Sequence, residues 1–377
     1  LSRLLAGWLV DSLNETLYPA RLAGHHFEAY AHARGITLAF SGWRDRQDRL
    51  IERVITQLEE GEIDAATFER VRYRLQREWR NAPQDALYRQ AHRTLSEALV
   101  RPQWPTEALL AAIEDLEVTE LRDFRRRFLA ELHLEAMAVG NLTGKLASRE
   151  ARRVAKALAP TLTTEAIPDL TPLQADDLPE LTPTTTREDS LVLRYLQGPD
   201  RSLTSQARMA VLGQLLETPF YQRLRTEQQL GYVVNAGYSP LLDAPGISLL
   251  VQSPDTDSEA IQGHIDAFLD DFAGRLEALD DEALAPYRQA VHDALRQRDT
   301  SLSGRTDRLW RALASDDTEF DRHRRLAERV LTVTADELRQ AWPALSDSAV
   351  ARVSFDPGDE PSDVLALSHH LAPLPED

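Results

Sequence analysis

One spaced pattern of residues occurs twice in this 377-residue chain, and it constrains the fold more than any other feature. The first copy consists of Ile63-Asp64, Phe68, Arg72 and Leu75, and the second, with identical gaps, of Leu279-Asp280, Leu284, Arg288 and Val291. Similarity at a fixed separation is the signature of a duplicated structural unit. We therefore expect two homologous domains.

The segments before this pattern also correspond. In each copy a helical stretch ends near Gly24 or Gly231, and an alternating strand follows at residues 35–41 or 246–252. An amphipathic helix then leads into the repeated pattern in both copies. Residues 190–197 predict the strand that opens the second copy.

Each copy is predicted to close in the same way. Thr119 or Thr334 would cap a helix, and a strand would follow at 134–139 in the first copy and 350–355 in the second. The order of elements predicts the α+β fold class, with two homologous domains. Each would be a mainly antiparallel sheet with helices packed largely on one face.

Proline spacing indicates the boundary between the copies. Five of the 20 prolines lie between Pro160 and Pro183, among threonine and acidic residues without helical or strand periodicity. We predict a first domain at 1–158, a linker at 159–187, a second domain at 188–356 and a C-terminal tail at 357–377. The start at Leu1, with neither initiator Met nor signal sequence, suggests a piece of a longer polypeptide.

Composition excludes several function classes. The formal charge of −18 repels phosphate backbones and anionic lipid surfaces, which argues against a nucleic-acid partner. No apolar stretch approaches the roughly 20 residues of a membrane-spanning helix, so we expect no membrane partner. Without cysteine, the chain has no disulfides, thiolate metal sites or cysteine nucleophiles.

Motifs for chemistry within the chain are missing. None of the ten histidines lies in a His-x-x-Glu-His, His-Glu-x-x-His or His-x-x-x-His arrangement, and no nucleophile elbow or phosphate-binding glycine loop occurs. His25 and His26 are adjacent, so on a strand they would point to opposite faces and could not share one ion. We predict that this chain alone has no catalytic residues, binds no metal or other cofactor, and is inactive.

One segment, 220–234, differs from the rest because it concentrates polar and aromatic groups around a predicted helix end. Gly231 could adopt the left-handed conformation that ends helices and release Tyr232 into a strand. Arg225 and Tyr232 would then flank one corner, where a guanidinium and a phenol could converge on a carbonyl or an oxyanion. Alternatively, Arg225 pairs with a nearby carboxylate and Tyr232 fills the edge of the core.

The sequence from Arg225 to Val234 resembles a signature of the M16 peptidase family of insulin-degrading enzyme and protease III (pitrilysin), which are inverzincins. In the first copy the resemblance extends to residues 11–15, 22–24 and 140–142, and it covers nearly the whole chain. The order of these blocks agrees with the third and fourth of the family's four homologous domains. The resemblance implies the metallopeptidase-half, LuxS/MPP-like architecture.

The same resemblance implies a function. In this family two bowl-like halves enclose peptides in a chamber, and the N-terminal half holds zinc through His-x-x-Glu-His and a distal Glu. The chain would be the non-catalytic C-terminal half of a zinc endopeptidase, in which Arg225 and Tyr232 bind the substrate and polarise the scissile carbonyl.

Partners and compartment follow only as expectations. The partners would be the N-terminal catalytic half and peptide substrates, and a homodimer remains open because exposed apolar docking surface is expected. A stand-alone inactive binding subunit that pairs with a separate zinc-bearing chain is the alternative. Family analogy favours the periplasm, with the cytoplasm left open.

Overall fold

The computed structural model describes residues 1–161, 167–173, 180–183, 185–347 and 350–358. Up to residue 161 the elements are α1 (Ser2–Leu13), α2 (Tyr18–Leu22), β1 (His25–His32), β2 (Gly35–Gly42), α3 (Gln47–Glu60), α4 (Ala65–Arg80), a 3-10 turn (Ala82–Gln84), α5 (Leu87–Leu99), β3 (Val100–Arg101), α6 (Thr106–Glu114), α7 (Val118–Ala130) and α8 (Gly144–Leu158).

The second part of the chain contains most of the sheet. Its elements are β4 (Asp169–Leu170), β5 (Glu180–Leu181), β6 (Ser190–Gln197), α9 (Leu203–Tyr221), a π-helical segment (Gln222–Glu227), β7 (Val233–Tyr238), β8 (Gly246–Ser253), α10 (Ser258–Glu277), α11 (Asp281–Arg296), α12 (Leu302–Ala314), α13 (Arg322–Val330), α14 (Ala335–Asp347) and β9 (Val350–Phe355). Among the helices described, none combines the length and apolarity that crossing a bilayer requires.

The chain forms two compact units that do not coincide with the predicted domains. The first unit combines Leu1–Asn81 with Thr106–Pro168, and the second combines Ala82–Pro105 with the described residues from Asp169 onward. The segment 82–105, which contains α5 and β3, was assigned to the first domain from sequence but lies in the second unit. Parts of the predicted linker (162–166, 174–179 and 184) and tail (359–377) lie outside the described residues.

The second unit is built on a five-stranded sheet of order β5-β9-β6-β8-β7. All neighbouring pairs are antiparallel except β5 with β9. One face of this sheet packs under α9, α10, α11, α13 and α14 in the larger hydrophobic core. This arrangement confirms the predicted fold class.

The opposite face of the sheet explains why α5 belongs to the second unit. Leu193 and Tyr195 of β6 and Val353 of β9 are fully buried in a second core whose other side is α5, with Ala91 and Leu95. Because β6 is apolar on both faces, leaving either face uncovered would expose a large hydrophobic area to water. The helix that covers it comes from the first half of the sequence.

The first unit has its own core. The inward-facing residues of α3, namely Leu50, Val54, Ile55 and Leu58, are buried together with Trp8 of α1 and Phe68 of α4. Strands β1 and β2 pair antiparallel, with His25 opposite Gly42 and His32 opposite Gly35. The strand predicted at 134–139 was wrong: these residues form no strand and pair with none of the strands in the described part of the chain.

The repeated pattern has the same structural role in both units. Asp64 and Asp280 cap α4 and α11 by accepting hydrogen bonds of 2.8 Å from the N–H groups of Thr67 and Ala283. The two arginines of the pattern then bind backbone carbonyls: Arg72 donates to Leu116 (3.2 Å) and Arg288 to Val333 (2.6 Å). Equal spacing in the sequence thus reflects equal tertiary contacts.

The helix that closes each copy begins with a capping box. Thr334 caps α14, since its hydroxyl accepts from the Glu337 N–H at 3.2 Å and its own N–H donates to Glu337 at 3.0 Å. The predicted cap at Thr119 was wrong. Thr119 lies inside α7, and Glu117, whose N–H donates to Glu120 at 2.8 Å, occupies the capping position.

Candidate functional site at the junction of α9 and β7

The segment 220–234 forms a sharp corner between a buried helix and a strand. Phe220 and Leu224 are fully buried and anchor the end of α9 and the π-helical segment 222–227 in the core. The wider turn is closed by a hydrogen bond of 3.0 Å from the Gln228 N–H to the Arg223 carbonyl. Such π-helical insertions occur often at functional sites because they change the direction of side chains at the end of a helix.

The residue that reverses the chain is Gln229 and not Gly231. Gln229 adopts a φ of 55°, whereas Gly231 is not among the residues with positive φ, so the predicted left-handed conformation of Gly231 was wrong. Glycine is required at 231 for a different reason. A Cβ atom there would lie 1.9 Å from the carbonyl oxygen of Gln252 on β8. The absence of a side chain therefore allows two backbone segments to approach each other at this corner.

Arg225 lies in the last turn of the π-helical segment and is partly exposed. Its guanidinium makes no ion pair or hydrogen bond with another residue of the described part of the chain. The neighbouring Arg223, in contrast, pairs with Asp271 of α10 at 3.0 Å. The alternative predicted for Arg225, an ion pair with a nearby carboxylate, is thus found at Arg223 and not at Arg225.

Tyr232 directly precedes β7 and is 54% exposed, so it does not fill the edge of the core. Its hydroxyl donates a hydrogen bond to the carboxylate of Asp189. The Nε2 atom of Gln252 donates to the same hydroxyl at 2.5 Å and to Asp189 Oδ2 at 2.7 Å. Partial burial and the contact with the Asp189 carboxylate raise the pKa of the Tyr232 phenol above its ordinary value.

Sequence reasoning missed three residues at this corner: Asp189, Gln252 and Gln228. Gln252 is a buried amide in a strand that is mainly apolar, which is a recognisable signal. Asp189 could be found only through the sheet, because Leu191 of β6 and Val233 of β7 both pair with Gln252. The Oε1 atom of Gln228 is buried and accepts no hydrogen bond within the described residues.

The equivalent corner of the first unit has different chemistry. Gly24, with a φ of 82°, precedes His25 at the start of β1, as Gly231 precedes Tyr232 just before β7. Arg21 donates to the Asn14 side chain at 2.9 Å. The first corner therefore has an imidazole in place of the phenol and an arginine that is already bonded.

The described residues do not form a metal site. Within the described ranges no three residues among His, Asp and Glu lie close enough together to hold an ion. His25 is half-buried and His26 exposed, in the alternating pattern of β1, so they face opposite sides of the strand as predicted. Zinc therefore finds no set of three ligands among the residues that the structure describes.

Comparisons with protein families agree with the order of the two copies. Residues 1–112 match the family model described as the middle or third domain of peptidase M16. Residues 211–310 match the model described as the PQQ synthase PqqF-like C-terminal lobe, domain 4.

Individual relatives extend the similarity over most of the chain. Human insulin-degrading enzyme is 25% identical over 338 residues, which are 88% of this chain and 33% of that protein. The coenzyme PQQ synthesis protein F of Pseudomonas protegens is 37% identical over 134 residues, 35% of this chain and 16% of that protein. The chain spans about a third of the length of the first of these relatives.

Solved structures share the fold. Pitrilysin covers 96% of this chain with a TM-score of 0.81 at 20% identity, and 39% of the pitrilysin chain is matched. A structure described as the inactive domain of a peptidase M16 from Pseudomonas fluorescens matches 95% of this chain and 88% of its own, with a TM-score of 0.68 at 16% identity. Together these matches show that the chain belongs to the M16 peptidase family and corresponds to a C-terminal half of the insulin-degrading enzyme and pitrilysin type.

Proposed function

We propose that this chain is the non-catalytic half of a zinc-dependent endopeptidase, in which Arg225 and Tyr232 bind the peptide and polarise its scissile carbonyl. Zinc and the general base would belong to the N-terminal half, with which this chain would enclose the substrate in a chamber. The relatives named as insulin-degrading enzyme are about three times as long as this chain, which supports a missing catalytic half.

The observation that carries the proposal is that the guanidinium of Arg225 is unpaired within the described residues and that the phenol of Tyr232, at the other end of the same corner, is exposed. An arginine kept only for stability is expected to find a carboxylate, as Arg223 does with Asp271. Arg225 instead presents its donors without a partner in the described part of the chain, seven residues before Tyr232 on the same corner. Donors fixed in advance can stabilise the charge that develops on a carbonyl oxygen during peptide hydrolysis.

The residues of this chain would act by position and charge. Arg225 supplies a permanent positive charge and planar donors that match a carbonyl or carboxylate oxygen. Tyr232 supplies one neutral O–H donor. Neither residue transfers a proton in this scheme, so both would contribute mainly through hydrogen bonds that strengthen as negative charge appears.

The test is peptide cleavage by the enzyme assembled from this chain and its N-terminal half. Arg225→Ala and Tyr232→Phe should each lower turnover roughly 100-fold, as expected for the loss of one preorganised oxyanion donor. Arg223→Ala is the matched control, because it removes an equally charged neighbour that is bound to Asp271. Turnover that is unchanged in both variants, or lowered equally by Arg223→Ala, would refute the assignment.

A second candidate is a stand-alone inactive subunit that pairs with a separate zinc-bearing M16 chain. The structure described as an inactive domain of a peptidase M16 favours this candidate, because this chain matches 88% of the length of that separate chain. The reading frame upstream of Leu1 distinguishes the two candidates. A His-x-x-Glu-His motif in the same frame supports the first, and an independent start supports the second.

A further inference from the structure

The hydroxyl of Tyr232 has a single proton, and that proton is already engaged. It is donated to Asp189, while Gln252 donates to the oxygen of the same hydroxyl. A phenol bonded in this way has no second proton for a substrate carbonyl. Before Tyr232 can act as a donor to a peptide, its O–H must turn away from Asp189.

The surroundings of this group restrict its movement. The Gln252 Nε2 atom lies 2.5 Å from the phenol oxygen and 2.7 Å from Asp189 Oδ2, so one buried amide contacts both partners. The Gln252 backbone also fits directly against Gly231. Asp189 and Gln252 thus hold the Tyr232 oxygen, and rotation about the Cζ–O bond would change the acceptor of its O–H without moving the ring.

We propose that Asp189 is a positioning residue that holds the Tyr232 hydroxyl proton until negative charge develops on the scissile carbonyl. This inference rests on the proposed function of the corner. A carboxylate is a stronger acceptor than a neutral peptide carbonyl, so the O–H stays with Asp189 when substrate binds. As the carbonyl oxygen becomes an oxyanion, it becomes a competitive acceptor and the O–H turns towards it.

This arrangement directs the contribution of Tyr232 to the transition state. A hydrogen bond that forms only when charge has developed raises kcat without tightening binding of the substrate. The covalent O–H bond stays intact in this step, so the phenol remains protonated. Only the hydrogen bond changes, from Asp189 as the acceptor to the oxyanion. Asp189 would retain the hydrogen bond from Gln252 while the hydroxyl points to the substrate.

The first measurement uses the isolated chain and needs no peptidase activity. NMR titration of ring-labelled tyrosine, with the Tyr232 signal identified by its loss in Tyr232→Phe, reports the phenol directly. The charged groups around it are Asp189, which raises the pKa of Tyr232, and Arg187, which opposes the increase. Asp189→Asn should lower the pKa of Tyr232 towards the ordinary value, while Glu188→Gln, a change at the exposed neighbour, should leave it nearly unchanged.

The second measurement is a double-mutant cycle in the assembled enzyme. Asp189→Ala should lower kcat about tenfold and lower KM with it, because the released O–H can then bind the neutral carbonyl of the substrate as well as the oxyanion. In the Tyr232→Phe background the same substitution should change kcat less than twofold, because a residue that acts through Tyr232 has no effect once the hydroxyl is removed. Glu188→Ala is the control for both backgrounds.

The outcomes separate this inference from the proposed function. An equal effect of Asp189→Ala in both backgrounds, or a pKa of Tyr232 that Asp189→Asn does not change, would overturn the positioning role of Asp189. If the pKa falls as expected but Tyr232→Phe itself cleaves peptides normally, the proposed function of the corner is refuted, and the positioning role in catalysis is refuted with it.

Discussion

Gly231→Ala is the substitution to which the candidate site should be most sensitive, because it inserts a single methyl group between two backbones. The added Cβ would lie 1.9 Å from the Gln252 carbonyl oxygen and 2.8 Å from its carbonyl carbon, whereas ordinary contacts begin near 3.4 Å. The obstacle is backbone in a central part of the sheet, so it cannot rotate away as a side chain would. The corner and β8 must separate by about 1.5 Å (3.4 − 1.9) to remove the overlap.

Overpacking of a well-packed region costs typically 1–3 kcal/mol, and we expect about 3 kcal/mol here because no flexible group can yield. The assay is hydrogen exchange of the β7 and β8 amides, which reports the local free energy of opening. A displacement of this size would also break the 2.5 Å hydrogen bond that Gln252 Nε2 donates to the Tyr232 oxygen. Because that hydrogen bond lowers the pKa of Tyr232, its loss should raise the pKa further.

Gly237→Ala is the matched control. Gly237 lies on β7, has no positive φ, and a Cβ atom there would meet no heavy atom within 4 Å. Alanine at such a position should be neutral or stabilising by up to about 1 kcal/mol, since glycine loses more backbone freedom on folding. If both variants changed the opening free energy of β8 equally, the argument from close backbone approach would fail.

Two further predictions concern the second unit. Glu337 accepts hydrogen bonds from the Thr334 N–H, Arg208 and Arg329, and although partial burial alone would raise its pKa, these bonds lower the pKa to about 2. A carboxyl group whose pKa is lowered in the folded state stabilises the fold at pH values above its ordinary pKa of 4.5, and this stabilisation is lost as the pH falls towards 2. Near pH 7, Glu337→Gln should therefore reduce the free energy of unfolding by about 1–2 kcal/mol, allowing for solvent screening. Below about pH 3 the same substitution should reduce it by much less. Urea unfolding at both pH values tests this, and an equal loss at the two would contradict it. Leu95→Ala in α5 should destabilise the sheet by about 2–5 kcal/mol, as large-to-small core substitutions do. Hydrogen exchange should then accelerate in β6 of the second unit, and acceleration confined to the first unit would show that α5 had been assigned to the wrong core.

Local patterns in the sequence were sufficient for most of the elements. The strands at 190–197 and 350–355 were predicted with their observed bounds, and the repeat around Arg72 and Arg288 marked equivalent tertiary contacts. The same local patterns failed at 134–139, where alternation was present but no pairing strand was. Whether an alternating segment becomes a strand depends on a partner that the segment itself does not specify.

The candidate site shows the same division. A motif of ten residues and its family resemblance were enough to select Arg225 and Tyr232, because their spacing around a helix end is encoded locally. Only the folded sheet brought Asp189 and Gln252 to the phenol, from 43 and 20 positions away in the chain. The sequence alone therefore determined the fold class and the duplication and selected two candidate site residues. The tertiary structure decided which acceptor the Tyr232 hydroxyl binds and which helix covers the second face of the sheet. The physical reason is that hydrophobic periodicity acts over a few residues, while strand register and face burial depend on segments far apart in the sequence.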